Sequence, residues 1–395
     1  VKPKSFMLIA GEASGDLLAA ELVSALRSQL PTAGSQLPVF FGAGGPKMAE
    51  IGVELMFDLT RHAATGIPSL GRFVQGRKQL HQLFALAVDH KPDAVIGVDY
   101  GFFNLRFGHA IRHFARDNPF SKWNPKIVQF VSPQVWASRP RRAKLLEADY
   151  DLLLSIFPFE KEWYAQRAPK LRVEFVGHPM VERFASEQRV PRVPDFGRSE
   201  TRGLHPSEIL LLPGSRKGEL KRHLPVMLDA VQLIQAKLPE SRARMVLPNP
   251  ALKELADKLS TPPPNVEIQA GNLPQALARA DVVISKTGTV TMECAFFGVP
   301  TVTLYQKPLL HLAITLGIIT VKSLTMPNLL AGAEIYPEFL QKDARPENIA
   351  QAALELLENE SRRQEIRSQL AGIIASLGGP GACDRAARAI LSLFD

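Results

Sequence analysis

Residues 280–294, ADVVISKTGTVTMEC, bring together groups that could hold an anion where a strand turns into a helix. The apolar run from Asp281 to Ile284 has the pattern of a covered parallel strand. Thr287-Gly288-Thr289 follows, with no bulky or acidic side chain to block the first amides of the next helix. Those N–H groups lack intrahelical partners and sit at the positive end of the helix dipole, which suits a phosphate. Glu293, about one turn beyond Thr289 and on the same face, is placed to accept hydrogen bonds from ribose hydroxyls. The pattern is that of a nucleoside diphosphate site. A capped strand-to-helix crossover whose Glu293 merely faces water fits these residues equally well.

Two further turns follow short apolar runs. Residues 211–219, LLPGSRKGE, carry Arg216 and Lys217 at the end of a strand, where open α/β sheets bind ligands. Arg216 can fork onto a phosphate; a plain surface arginine is the alternative. Residues 9–16, IAGEASGD, form the other turn. Neither is a Walker A loop, because no Gly-Lys-Ser/Thr follows, and neither is the G-x-G-x-x-G of dinucleotide binders.

Positioning such turns requires alternating strands and helices. Strand-like runs at 6–10, 39–41, 94–98, 127–131, 152–156 and 173–176 alternate with helical segments, and 209–212, 245–247, 266–269, 282–284 and 301–304 repeat the alternation. This predicts an α/β protein of two Rossmann-like, doubly wound domains facing across a cleft. The expected boundaries are a first domain over 1–185, a linker over 186–207 rich in Arg, Pro and Glu, a second domain over 208–365, and C-terminal helices over 366–395 that pack back on the first domain.

Composition narrows the class. At 395 residues the chain suits two domains, and 46% hydrophobic with 22% charged residues is that of a folded globular protein. The net charge of +8 favours phosphates or anionic lipid, while 5 Tyr, 3 Trp and no Lys/Arg block argue against nucleic acid. Two cysteines, Cys294 and Cys383, make neither a disulfide framework nor a zinc site and read as packing residues. No signal peptide is expected, since Gly11-Glu12 ends the first apolar run early. The longest apolar stretch, 309–321, is shorter than the roughly 20 residues a membrane span needs. It reads as a buried or interfacial helix.

The segments GEASGD (11–16), GAGGPKM (42–48), PDAVIGVDYGFFNLR (92–106), FVSPQVWASRPRRAKLL (130–146), FPFEKEWY (157–164), VGHP (176–179), LLPGSRKGEL (211–220), TGTVTMEC (287–294) and MPNLLAGAE (326–334) resemble, in order, those of the lipid-A-disaccharide synthase family. The resemblance runs from about residue 6 to residue 343. It implies a GT-B glycosyltransferase of lipid A biosynthesis in Gram-negative bacteria, peripheral to the cytoplasmic face of the inner membrane. The implied reaction moves 2,3-diacylglucosamine from UDP-2,3-diacylglucosamine to the 6-hydroxyl of 2,3-diacylglucosamine 1-phosphate. The anomeric centre inverts, and a β-1′,6 disaccharide 1-phosphate and UDP are formed.

Carried onto this chain, the resemblance makes Asp99 the base, and the end of the buried run 94–98 is where a reacting side chain would stand. A structural cap for the following helix is the alternative role. Glu12 and Asp16 are the fallback acids, and His178 is expected to be structural. Many family members have Asp-Ala-Pro-Asp-Phe-Asn where this chain has Asp99-Tyr100-Gly101-Phe102-Phe103-Asn104. The second acid is missing, so a mechanism needing two carboxylates here is in question. The family's pattern places Arg216, Thr287, Gly288 and Thr289 around the pyrophosphate, Glu293 on the ribose and Asn328 near the nucleotide. No cofactor and no metal are expected: Asp149-Tyr150-Asp151 precedes a strand and reads as a solvated turn.

Acylated substrates need a surface that meets the bilayer. Residues 66–88 carry Leu70, Phe73, Val74, Leu80, Leu83 and Phe84 near helical spacing, with Arg72, Arg77 and Lys78 among them. A core-facing helix has the same periodicity; the resemblance places the membrane-inserting patch here, although Thr65-Gly66-Ile67-Pro68-Ser69 departs from the family's more apolar run. Two other readings remain open, a non-hydrolysing UDP-sugar epimerase and a non-catalytic UDP-sugar- or lipid-binding homologue. The sequence leaves the oligomeric state open, a homodimer included.

Overall fold

The computed structural model describes residues 4–30, 37–60, 70–185, 206–260, 262–263, 265–306 and 321–395, and side chains at 70–73 are outside the description. The described residues divide into two units, one running to Pro179 and resuming over Leu377–Asp395, the other lying between Met180 and Ser376.

The first unit holds β1 (Ser5–Ala10), β2 (Val39–Gly44), β3 (Glu54–Asp58), β4 (Ala94–Val98), β5 (Lys126–Phe130), β6 (Leu152–Ser155) and β7 (Val173–Phe175) in one sheet of order β3-β2-β1-β4-β5-β6-β7. The second holds β8 (Glu208–Leu212), β9 (Arg242–Leu247), β10 (Val266–Ala270), β11 (Val282–Lys286), β12 (Thr301–Tyr305) and β13 (Glu338–Leu340), ordered β10-β9-β8-β11-β12-β13. Every pairing in both sheets is parallel. The central strands are apolar along their whole length because helices cover both faces: Phe6 to Ala10 and all of β4 are buried.

Two strands were not expected from sequence, β3 and β13. Both are sheet edges, with half-exposed residues and acidic side chains in place of a continuous apolar run. A strand covered on one side only has no need of that run.

The domain boundaries also shift. Helix Met180–Ala185 groups with the second unit, its Phe184 ring lying 5.6 Å from Phe296 and 5.8 Å from Phe297. The expected linker lies almost wholly outside the described residues. Helix Glu360–Ser376, expected in part to return to the first domain, stays with the second, because Ile366, Leu370 and Ile373 are buried there and it packs on helices Val290–Phe296 and Met326–Ala331. Only the chain from Leu377 returns. Helix Ala382–Leu391 packs on helix Ala13–Gln29, Gln29 donates to the Asp384 carbonyl at 3.1 Å, and the Phe394 ring meets Phe6 edge-on. Both cysteines are buried, and burial pushes the Cys294 thiol up, which suits packing and not nucleophilic chemistry.

Helix Leu70–His90 corrects part of the membrane expectation. Leu83 is fully buried, and Phe84 packs edge-on against Phe114 at 5.4 Å within the same core cluster. These two side chains belong to the core, because their face of the helix covers the sheet. Val74, Arg77 and Lys78 are exposed. The side chains of Leu70, Arg72 and Phe73, and the segment 309–320, lie outside the described residues. Among the described residues no helix is long and apolar enough to cross a membrane. Leu83→Ala should cost about 2–5 kcal/mol in urea denaturation, whereas Val74→Ser should stay within about 0.5 kcal/mol of the parent.

Candidate active site

In each sheet the strand order reverses once, at β1/β4 and at β8/β11, and open parallel sheets bind ligands beyond the carboxyl ends of the strands at such a point. In the first unit, Ala10 pairs with Val98, so the turns that follow them, Gly11-Glu12 and Asp99-Tyr100, leave the sheet side by side. Asp99 accepts a 3.5 Å hydrogen bond from the Ser14 hydroxyl. Burial raises its carboxyl above the ordinary aspartate range, and the neighbouring Glu12 charge raises it further. The carboxylate form is thereby made more basic. Gly11 is obligatory, since a Cβ there would come within 2.3 Å of the Tyr100 ring.

The backbone that presents Asp99 is strained. Asp99 and Tyr100 adopt φ of +50° and +43°, and Val131, just past the neighbouring β5, has +66°. A left-handed β-branched residue is rare, and each such residue costs roughly 1–3 kcal/mol. Two buried amides hold the turn in place. Asn104 and Gln129 each donate to the Asp99 carbonyl at 2.9 Å, and Gln129 also reaches the Phe130 and Val131 carbonyls at 3.3 and 3.2 Å. Gln129 is paired across the sheet with Gly97, where a Cβ would meet its Oε1 at 2.5 Å. The sequence reading missed Gln129; a glutamine inside the buried run KIVQF was the available signal.

Asp16 is not placed to act as a fallback base. It is buried, and its carboxylate accepts hydrogen bonds from the backbone N–H groups of Gly45, Lys47 and Met48 at 2.8, 2.9 and 3.1 Å, at the start of helix Pro46–Glu50. Its role is to hold that turn. Glu12 remains beside Asp99. The SPQVWA and FPFEK segments meet at Glu160, which accepts from the Trp136 indole at 3.0 Å and the Phe157 amide at 3.3 Å. Burial pushes its carboxyl up to about 7. His178 packs its ring against Phe157 at 5.5 Å.

In the second unit, Leu212 pairs with Ser285, so the turn 213–216 after β8 lies beside Lys286 and the turn 287–289 after β11. Glu219, buried on the helix Lys217–Lys237, anchors the group: its Oε1 lies 3.3 Å from both Arg216 and Lys286, and its Oε2 accepts from the Ser215 amide at 3.1 Å. Gly214, at φ +125°, leaves room for it, since a Cβ would lie 2.6 Å from the carboxylate. The attraction of Lys286 and Arg216 outweighs the desolvation of Glu219, whose carboxyl lies below its ordinary value. One carboxylate thus gathers two cations, leaving net positive charge at the turn. Gly288 packs against Lys286, with a Cβ position 2.7 Å from Nζ. Lys286, a cation ending the buried strand VVISK, escaped the sequence reading.

The Thr287 hydroxyl is buried with no partner among the described residues, a group free to meet a ligand. Thr289 caps helix Val290–Phe296 through its backbone alone, and Glu293 is half-buried in the first turn. His223 is fully buried, its Nδ1 3.0 Å from the Pro213 carbonyl and its Nε2 accepting from the Gln306 amide at 3.3 Å. Burial lowers its proton affinity, so a neutral ring with the proton on Nδ1 ties the turn after β8 to the end of β12.

Asn328, expected near the nucleotide, spends its side-chain amide inside the protein. Its Nδ2 donates to the Tyr336 carbonyl and to Glu338, each at 2.8 Å, and its Oδ1 accepts from the Ile335 and Tyr336 amides at 2.9 and 2.8 Å. An asparagine amide has two donors and two lone pairs, and all four are used inside the protein. Asp149 is likewise no solvated turn: it is buried and meets His109 Nδ1 at 2.8 Å, while Asp151 pairs with Arg112. Metal-ligating atoms of His109, His113 and Asp149 lie within 4.8 Å of one another, the one such grouping among the described residues. His109 and His113 lie on helix Gly101–Asp117, about three to four turns beyond Asp99, and Asp149 ends helix Ala143–Asp149. A cavity of about 400 Å³ lined by Glu208, Arg242 and Asn265 opens at the amino-terminal edge of the second sheet, away from these turns.

Two parallel α/β units, each with its candidate groups at a reversal of strand order, define the GT-B class of glycosyltransferase folds. The structure resembles Acinetobacter baumannii MurG with a TM-score of 0.52 at 18% identity, covering 99% of this chain and 100% of that one. It also resembles Staphylococcus aureus MnaA, solved with UDP, with a TM-score of 0.64 at 14% identity, covering 100% and 97%. At the level of sequence, the family model for lipid-A-disaccharide synthetase (LpxB) matches residues 6–393. The lipid-A-disaccharide synthase of Trichlorobacter lovleyi is 33% identical over 405 residues, covering all of this chain and 98% of that protein. The chain belongs to the lipid-A-disaccharide synthase family, a family of glycosyltransferases of lipid A biosynthesis.

Asn328→Ala should lower the melting temperature strongly, since it strands the Ile335 and Tyr336 amides at about 1–3 kcal/mol each. UDP affinity of the folded fraction, measured by calorimetry, should stay within a few-fold. A selective loss of UDP binding at unchanged stability would return Asn328 to the nucleotide site.

Proposed function

We propose that this enzyme transfers 2,3-diacylglucosamine from UDP-2,3-diacylglucosamine to the 6-hydroxyl of 2,3-diacylglucosamine 1-phosphate, with inversion. The observation that carries the reading is Asp99, a half-buried carboxylate of raised basicity held at a strand end by a strained, doubly anchored turn. The acceptor O6–H gives its proton to Asp99 as O6 attacks the donor's C1. The C1–O bond to UDP breaks, its electrons pass to the β-phosphate, and UDP leaves. A base near its working pH is most effective, and burial with the Glu12 charge moves Asp99 in that direction. The missing second acid of the 99–104 segment costs nothing in this scheme, because one proton moves.

Arg216 and Lys286 are the groups suited to the growing charge on the departing diphosphate, with Thr287 and the 287–289 backbone beside them. The UDP held by the structurally similar MnaA supports the same ligand here. Glu293 then serves the ribose. Two fixed cations can supply the electrostatic stabilisation for which other transferases use Mg²⁺. Membrane contact stays assigned to Leu70, Arg72, Phe73, Val74, Arg77 and Lys78 on the cytoplasmic face of the inner membrane, with Leu83 and Phe84 excluded as core. The epimerase and the non-catalytic readings differ from this one in a single assay, since only a transferase releases UDP in proportion to acceptor.

Asp99→Asn should lower kcat by roughly two to four orders of magnitude with UDP affinity nearly unchanged. The base must be ionised, so the rate should fall as pH drops through its raised pKa, placing the acid limb above the ordinary aspartate value of about 3.9. Glu12→Gln removes a charge that raises that pKa and should move the acid limb to lower pH. A limb that stays in place would show that Asp99 is not the titrating base.

Arg216→Ala and Lys286→Ala should each weaken UDP binding by about tenfold or more, a loss suited to a charge-assisted hydrogen bond. EDTA should leave turnover intact; activity lost to EDTA and restored by Mg²⁺ would refute the metal-free scheme.

A further inference from the structure

One cluster beside Asp99 takes no part in the chemistry above. Phe102, in the first turn of helix Gly101–Asp117, is 54% exposed. The Arg106 guanidinium lies 4.4 Å from its ring centroid and the Arg142 guanidinium 5.5 Å, so one ring carries two cations. Arg106 is one turn beyond Phe102 on the same helix face. Arg142 arrives from the segment after β5, which is pressed against the start of this helix: a Cβ on Gly101 would lie 2.8 Å from Pro133. Arg139 lies on the same segment, close enough that its charge, like that of Arg106, disfavours the charged form of Arg142, after partial burial.

Among the described residues no carboxylate forms an ion pair with Arg106, Arg139 or Arg142. The Gly101 and Phe102 amides, at the positive end of a 17-residue helix, likewise have no partner among the described residues. Converging guanidinium groups repel one another, and stacking on a phenyl ring returns only about 0.5–1 kcal/mol at an exposed site. A shared anion reverses the balance. A phosphate monoester fits best, since its near-double charge and three acceptor oxygens can take forks from several guanidinium groups at once.

We infer that Arg106 and Arg142, stacked on Phe102, bind a phosphate monoester with Arg139 of the same segment as Arg142, and that in this enzyme the occupant is the phosphate of the acceptor sugar. The identity of the occupant rests on the transfer reaction proposed above; the anion site itself does not. Phosphate binding at the first turn of this helix would set the acceptor's register against Asp99, three residues earlier in the chain. The arginines are therefore positioning and specificity residues and leave the proton transfer to Asp99.

The test compares the full-length protein with its Arg106→Ala and Arg142→Ala variants, and with Arg106→Lys, against 2,3-diacylglucosamine 1-phosphate and the same sugar lacking the phosphate. Binding of each acceptor is measured without donor, and turnover with UDP-2,3-diacylglucosamine. Wild type should bind the phosphorylated acceptor more tightly, and each alanine variant should lose roughly 10- to 100-fold for it and nothing for the dephosphorylated one. In turnover the loss should appear in the acceptor KM, with donor KM and kcat little changed, and Arg106→Lys should recover part of it.

Equal losses for both acceptors would mean a structural role, and unchanged binding would remove the site; either overturns the inference. Loss of flotation with phosphatidylglycerol vesicles, alongside intact discrimination between soluble short-chain acceptors, would assign the arginines to lipid headgroups and overturn it as well. Discrimination in binding without acceptor-dependent UDP release from wild type would leave the anion site standing and refute the transfer reaction.

Discussion

Because every strand in both sheets is parallel, every connection must cross over a face, and all carboxyl ends gather at one edge of each sheet. Where the order reverses, at β1/β4 and β8/β11, neighbouring strands send their chains to opposite faces, and the turns between them are not covered. The groups with chemical potential stand at these two places. Glu12 and Asp99 leave the first sheet together; Arg216, Lys286 and Thr287 leave the second. Chain distances of some 70 to 90 residues between these partners vanish because the register is fixed by buried apolar strands.

The two edges carry opposite electrostatics. In the first, partial desolvation and the neighbouring Glu12 charge disfavour the ionised form of Asp99, which becomes a better base. In the second, a buried Glu219 is outnumbered by Arg216 and Lys286, and the net charge left at the turn suits a diphosphate. Both depend on burial, since screening by water would reduce these couplings to little. The polar residues behind them are therefore as consequential as those in front. Asn104 and Gln129 hold the Asp99 carbonyl, and His223 ties two strand ends in the second unit.

Two residues that looked chemical turn out to satisfy backbone. Asp16 receives three amides and Asn328 completes four hydrogen bonds, one of them to Glu338, which itself accepts from the Leu324 and Thr325 amides and the Thr325 hydroxyl. Polar groups in a buried turn must be paired or pay desolvation, so an acid or amide at such a place is more often a fastener than a reagent. The SPQVWA and FPFEK segments illustrate this: distinctive in sequence, they converge on a buried Glu160 that fastens Trp136 and the start of a helix.

The sequence alone determined the strand–helix alternation, eleven of the strands described here and the turns that could carry chemistry, because buried parallel strands leave unbroken apolar runs that need no knowledge of their neighbours. Edge strands β3 and β13 left no such run and were missed. Asp99 and Arg216 were legible as charged residues ending apolar runs, and the family's motifs singled them out. Which polar residue works and which fastens was decided only in three dimensions. Asp16 and Asp99 both follow a buried strand, yet one finds three amides waiting at Gly45, Lys47 and Met48 and the other finds a second acid. Leu83 and Val74 share one amphipathic helix, but only packing tells which face meets the sheet. Hydrogen-bond partners and burial come from residues far apart in the chain, and a local pattern holds no record of them.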